Sequence, residues 1–322
     1  MDTIVLTQEE IEGLLTMKDV MEAVEHAFEM HGKNAVQMPP KVYLTFEKGD
    51  LRAMPAHMEG HAGIKWVNSH PENPKKGLPT VMALLIYNDP ETGFPLAVMD
   101  ATHITSMRTG AAGGIAAKYL ARKDSKVFGF IGCGRQAYTQ ILALKEVFDI
   151  EEVKAYDISE NNAEKFVEFC KEMGIEAVAT STEKACDCDI LTTTTPSRKP
   201  VVMKEWIQPG THINAIGADA PGKQELEDSI LLSAKVVVDD MEQATHSGEV
   251  NVPISKGVLK PSDIHATLGE VIVGKKPGRE SDDEITIFDS TGLAIQDIAT
   301  ASVVYELAVK KGVGTKVRFF KI

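Results

Sequence analysis

Gly132, Gly134 and Ala137 stand at the spacing G-x-G-x-x-A, directly after the apolar run Val127 to Ile131, in the stretch KVFGFIGCGRQA. A glycine at the first position permits a tight turn, and one at the second lets backbone approach a pyrophosphate. A small residue at the third lets helix and strand pack closely. The helix that follows offers unpaired N–H groups to an anion, with Arg135 and Gln136 in its first turn. A second strand pattern, EEVKAYD, ends in Asp157, about twenty residues further on, where an acid can accept hydrogen bonds from both hydroxyls of an adenosine ribose. The alternative is that Asp157 only caps the next helix. The full order of strand, glycine turn, helix, strand and acid favours the ribose. An acid there repels a 2′-phosphate, so NAD is expected over NADP.

The elements around this stretch follow from periodicity. Downstream, strand and helix signals alternate as a parallel sheet requires: a helix over 159–173, a strand near 177–180, then ILTTTT, HINAIGA, AKVVVDD and EITIFDS. The carboxyl ends of these strands carry Thr194 and Thr195, Gly217 and Ala218, and Ser290 with Thr291, on the edge where an open parallel sheet holds its ligand. For these threonines and Ser290, strand-end and capping hydrogen bonds are an equal alternative. Upstream, Thr7 with Glu10 forms a capping-box signature, and Thr16 opens a helix whose apolar face recurs at helical spacing. Two short strands, a Gly/Pro-rich stretch from Gly60 to Thr80 and a hairpin of VMALLIY and FPLAVMD come next. From Thr102 to Ala121 a helix unusually rich in Gly and Ala implies close approach by another backbone or a ligand. The last helix pattern, 293–311, is expected to return to the N-terminal domain.

The fold class expected is α/β, a Rossmann-type doubly wound parallel sheet plus a smaller discontinuous α/β domain. The division expected is 1–115 with 300–322 for substrate and dimerisation, and 116–299 for the dinucleotide. The chain's 322 residues suit two domains. Its 34 basic and 47 acidic residues leave a net charge of −13, which argues against nucleic acid or an anionic membrane as partner. The four cysteines, 133, 170, 186 and 188, show neither C-x-x-C nor zinc-site spacing, and His57, His61 and His70 do not suit a metal either, so no metal is expected. Cys133, in the glycine turn, is expected to be somewhat reactive. Asp239 and Asp240 are taken as solvated strand ends. With no targeting pattern in the N-terminal stretch, the expected compartment is the cytoplasm.

Five motifs in order, GIKWVNSHPENP, TSMRTGAA, GFIGCGRQA, GADAPGKQEL and DSTGLAIQD, resemble the ornithine cyclodeaminase and mu-crystallin family over nearly the whole chain. The resemblance implies a homodimer and, as in the family's archaeal members that use NAD on alanine, reversible oxidative deamination of a small L-amino acid to pyruvate and ammonia. By matched position it implies Lys65 and Asp219 as catalytic residues and Lys41, Arg52 and Arg108 around the substrate. Position 52 departs from ornithine-acting relatives, which carry an acid there; Arg52 suits a carboxylate clamp and opposes a second ammonium. Lys65 can serve as acid or base only with a lowered pKa, for which burial and converging cations are the means. Whether Arg108 meets a phosphate or the substrate is open, and Thr109 can donate to the pyrophosphate or back-bond within its helix. The rival readings are an ornithine cyclodeaminase or ketimine reductase, and a non-catalytic nucleotide- or ligand-binding protein of crystallin type.

Overall fold

The computed structural model describes residues 2–321. In chain order it runs β1 (Thr3–Leu6), α1 (Gln8–Glu12), α2 (Met17–Gly32), β2 (Val36–Gln37), β3 (Val42–Phe46), β4 (Gly49–Met58), β5 (His61–Ser69), β6 (Ala83–Asn88), β7 (Pro95–Asp100) and α3 (Thr102–Leu120). It continues with β8 (Val127–Ile131), α4 (Arg135–Lys145), β9 (Glu152–Tyr156), α5 (Glu160–Glu172), β10 (Glu176–Ala179), α6 (Thr182–Cys186), β11 (Ile190–Thr193), β12 (His212–Ala215), α7 (Asp228–Ser233) and β13 (Lys235–Val238). The last elements are α8 (Met241–Ser247), α9 (Asn251–Ser255), β14 (Ala266–Thr267), α10 (Leu268–Ile272), β15 (Thr286–Asp289), α11 (Ala294–Lys311) and β16 (Thr315–Val317). Two compact units result. One holds the chain up to Arg108 and again from Leu293; the other holds Thr109 to Gly292. Boundaries after residues 115 and 299 would fall about two helical turns later.

The first unit is a mixed sheet in the order β16-β1-β7-β6-β5-β4-β2, with β3 also on β4. Capping boxes at Thr7/Glu10 and Thr16/Asp19 start α1 and α2. Helices α2 and α11 pack together, and α11 lies against β4 and β5. The side chains of one sheet face are buried: Met54, Ala56, Lys65, Val67, Leu85, Met99. Those alternating with them stay open, as period 2 requires. Val42, Ala53, Trp66 and Leu84 stand opposite one another across four strands, and on that face Val42, Trp66, Leu84 and Ile86 are all exposed. The Gly/Pro-rich stretch beginning at Gly60 is not one long connection: its first part is the nine-residue strand β5, paired throughout with β4. Alternating burial overrides the glycine content there, because β4 and β6 both pair with it.

The second unit is an entirely parallel sheet, β10-β9-β8-β11-β12-β15-β13-β14. Its strands are short apolar runs because helices cover both faces. One core gathers Phe128, Phe130, Ile141 and Phe166, and a second gathers Leu191, Ile213, Val236 and Ile287. The order turns at β8 and β11, which makes their carboxyl ends the switch point of the sheet. The glycines of α3 serve a backbone: a Cβ on Gly110 would lie 2.3 Å from Thr139 O, and one on Gly114 would lie 2.8 Å from Ala143 Cβ, both in α4. Asp239, expected in solvent, is fully buried, because its carboxylate accepts from Thr291 N (2.6 Å) and Gly292 N (2.7 Å). Among the described residues no helix is long and apolar enough to cross a membrane.

Candidate active site

The glycine turn has the conformation its sequence demands. Gly132 sits at φ 91, and a Cβ there would press within 3.0 Å of Thr194 and Thr195. A Cβ on Gly134 would meet nothing within 4 Å, and as N-cap of α4 it supplies no side-chain cap to the helix. Open space over uncapped N–H groups is what a pyrophosphate needs, so the residues fit a dinucleotide. Arg135 is exposed and Gln136 half-buried beside it. Asp157 follows β9 directly; its carboxylate accepts from Cys133 N (2.7 Å) and Ser159 N (2.8 Å), so it both braces the turn and keeps acceptor capacity for further donors. Cys133 itself is buried and, by burial first and Asp157 second, its thiol is pushed up to about 12. Burial thus works against the reactivity the sequence suggested for this thiol.

Among the strand-end residues, Thr194 Oγ1 donates to Gly132 O (2.7 Å) and Thr195 N to Glu225 (2.6 Å). Ala218 is buried, and the Ser290 hydroxyl is buried with no hydrogen-bond partner, available to a ligand's polar group. Thr291 takes the alternative role: its N and Oγ1 both serve Asp239. The carbonyl of Thr109 accepts from Gln140 (2.9 Å).

In the first unit three charges meet inside the protein. Lys65 of β5, 1% exposed, places Nζ 2.6 Å from Asp297 Oδ2 and 3.3 Å from Thr105 Oγ1. Arg108 of α3 donates through Nε to Asp297 Oδ1 (3.0 Å) and through Nη1 to Gln296 Oε1 (3.0 Å). Asp297, with no exposure, lies in the first turn of α11, where the helix dipole favours an anion. Burial is the largest influence on Lys65 and lowers it; Asp297 opposes; Arg108 and Lys41 push it down again, and the outcome is about 7. A lysine so poised can accept or give a proton near neutrality.

Arg52 faces the same way: Met54 is opposite Lys65 across β4 and β5, and Arg52 lies two residues from Met54. Its fork already has a partner, Asp50, at 2.8 Å from Nε and 3.0 Å from Nη2. Strand periodicity puts Asp50 and Arg52 on one face, so Asp50 holds the guanidinium that the sequence points at a carboxylate. Asp219 belongs to the other unit, paired with Lys223 at 2.5 Å. Sequence reasoning missed Asp50, Asp297 and Gln296. The signal for the last two was present in LAIQDIATASVV, where an acid and an amide interrupt an otherwise apolar helix.

A parallel sheet turning at β8 and β11, a glycine turn with room for phosphate and an acid after the next strand define the Rossmann class. The whole chain is more specific: it belongs to the ornithine cyclodeaminase/mu-crystallin family, whose pattern matches residues 1–312. It is 68% identical to an alanine dehydrogenase of Archaeoglobus fulgidus, over all of both chains. A solved archaeal alanine dehydrogenase dimer with bound NAD superposes at a TM-score of 0.99, covering 99% of this chain and 100% of that one at 68% identity. The Δ1-pyrroline-2-carboxylate reductase of Thermococcus litoralis, solved with NADH and L-proline, superposes at 0.95 with 44% identity, covering 98% and 100%.

Proposed function

We propose that the chain is an NAD-dependent amino acid dehydrogenase that converts L-alanine to pyruvate and ammonia, reversibly. The observation that carries this is Lys65, buried beside Asp297 and Arg108 and held at about 7, in a chain so similar to an alanine dehydrogenase. NAD, when bound, accepts the hydride that leaves the substrate Cα. Gly132, Gly134 and the first turn of α4 would hold its pyrophosphate, and Asp157 its adenosine ribose, which disfavours NADP. The second unit is thus the cofactor domain.

The first unit is the substrate domain. Lys41 and Arg52 bind the carboxylate, and Asp50 keeps Arg52 oriented. Loss of hydride from Cα of the neutral amine leaves an iminium on the substrate. Neutral Lys65 takes a proton from water as the water adds to the iminium carbon; protonated Lys65 then gives that proton to the amine nitrogen and takes the carbinol O–H proton as the C–N bond breaks, releasing ammonia and the 2-oxo acid. Asp219 is the second proton-transfer candidate, and Arg108 serves through Asp297. The exposed apolar face of Val42, Trp66, Leu84 and Ile86 is the contact with a second copy, making a homodimer; Leu84→Asp should sediment as a monomer. The four cysteines are free and buried, which suits a reducing cytoplasm, to be checked by cell fractionation.

The test is a spectrophotometric panel. NADH should form with L-alanine and be consumed with pyruvate plus ammonium. Turnover of Δ1-pyrroline-2-carboxylate or ornithine in place of alanine would overturn the substrate, and NAD binding with no turnover on the panel would overturn the enzyme.

A further inference from the structure

We propose that Glu225 is a positioning residue for the dinucleotide, its buried carboxylate tying the chain after β11 to the chain after β12 so that the cofactor edge of the sheet keeps one shape. This rests on the reading above that NAD lies along that edge. Glu225 has no exposure. Its Oε1 accepts from Thr195 N at 2.6 Å; its Oε2 accepts from Thr193 Oγ1 at 2.7 Å and Gly217 N at 2.8 Å. Thr193 and Thr195 flank the end of β11, and Gly217 stands two residues beyond β12. One side chain therefore holds two neighbouring strand ends at the edge where an open parallel sheet binds its ligand.

The junction leaves little room for adjustment. A Cβ on Gly217 would lie 2.1 Å from Thr195 O and 2.6 Å from the Glu225 carboxylate, so the two segments touch backbone to backbone. Thr194, between the two threonines that Glu225 holds, donates to Gly132 O in the glycine turn. The pyrophosphate turn, the chain after β11 and the chain after β12 form one connected rim. Glu225 is fixed in turn through its own backbone: its N donates to Glu249 (2.9 Å), and its O accepts from Val201 N (2.7 Å) and Val202 N (3.0 Å). A buried carboxylate is costly to place, and an apolar side chain would fill the same space without that cost. Only an acceptor with two oxygens can satisfy three donors arriving from two loops.

Glu225→Gln tests this, because an amide keeps one oxygen and turns its NH2 toward a backbone N–H on the other side. The readouts are the NAD dissociation constant by fluorescence titration, and KM for NAD and for alanine separately. The dissociation constant and KM for NAD are expected to rise roughly tenfold, with KM for alanine within twofold of wild type. A second pair covers the case in which that variant does not fold. Thr193→Val removes one donor and should weaken NAD severalfold; Thr193→Ser, which restores the hydroxyl, should recover it. NAD affinity unchanged in every folded variant, or KM for NAD and alanine rising together, overturns the role of Glu225. Failure of the wild-type chain itself to bind NAD overturns the functional reading beneath it.

Discussion

Both units bury charge, and they do so in opposite ways. In the first, two cations close on one acid: Lys65 and Arg108 on Asp297. In the second, the buried acids Glu225, Glu249 and Asp289 accept from backbone N–H groups, Glu225 from the Thr193 hydroxyl as well. Glu225 accepts from Thr195 N and Gly217 N, Glu249 from Glu225 N and Leu226 N, and Asp289 from Val250 N. Burial pushes Glu249 well up, with Glu225 adding to it, and pushes Asp289 to about 8. Ion pairing keeps a group charged and in place, whereas burial without a counter-ion is relieved by keeping a proton. The first arrangement suits chemistry near neutrality. The second suits a rigid support.

Substitution at Lys65 should disturb the first arrangement most. Lys65→Ala should lower kcat for alanine oxidation by about 10²- to 10⁴-fold, the usual worth of a positioned base, measured at saturating substrate. Asp297→Ala comes next. It leaves Lys65 and Arg108 buried without their anion and should cost about 3–5 kcal/mol in urea unfolding. In wild type, kcat/KM for alanine should fall about tenfold per pH unit below about 7, where Lys65 becomes protonated. Asp297→Asn should move that limb to lower pH, since Asp297 is what holds the lysine's value up.

The two regions also predict opposite slopes of stability against pH. Lys65, about 7 when folded against an ordinary 10.5, binds fewer protons folded than unfolded between those values, so its part of the stability rises with pH there. Asp289, about 8 against 3.8, keeps a proton when folded, so its part falls as pH rises from about 4 to about 8. Asp289→Asn should flatten that fall in denaturant midpoints taken at several pH values. The smallest effect belongs to Glu249→Gln. Oε1 is the acceptor for Leu226 N and takes Glu225 N as well, so an amide fits the protonated acid's hydrogen bonds and should change stability by under about 1 kcal/mol.

The second unit was largely legible because its signals are local. The run Val127 to Ile131, the glycines after it and Asp157 all lie within one strand–helix–strand unit, and each apolar strand is bounded by turn residues. The two-residue strand β14 was not legible, being too short to show a period. The first unit was harder. Glycines disguised β5, and the partner of Lys65 lies on the far end of the chain. A resemblance could point to Lys65 and Arg108 at matched positions, yet no spacing shows that Asp297 joins them. Asp50 was within reach, two residues from Arg52 on the same strand face, but charge alternation in a short strand reads equally well as a solvated edge.

The distance along the chain between Arg108 and Asp297, 189 positions, sets an order of events during synthesis. At typical ribosomal rates that interval lasts on the order of ten to forty seconds. Throughout it the nascent first unit holds a lysine and an arginine destined for its interior with their anion not yet made. The strand β1 likewise waits for β16, its antiparallel neighbour. The segment from Thr109 to Gly292 can complete its sheet in the meantime, so the second unit is the part that can mature first, and Lys65 acquires its buried anion only with the last helix.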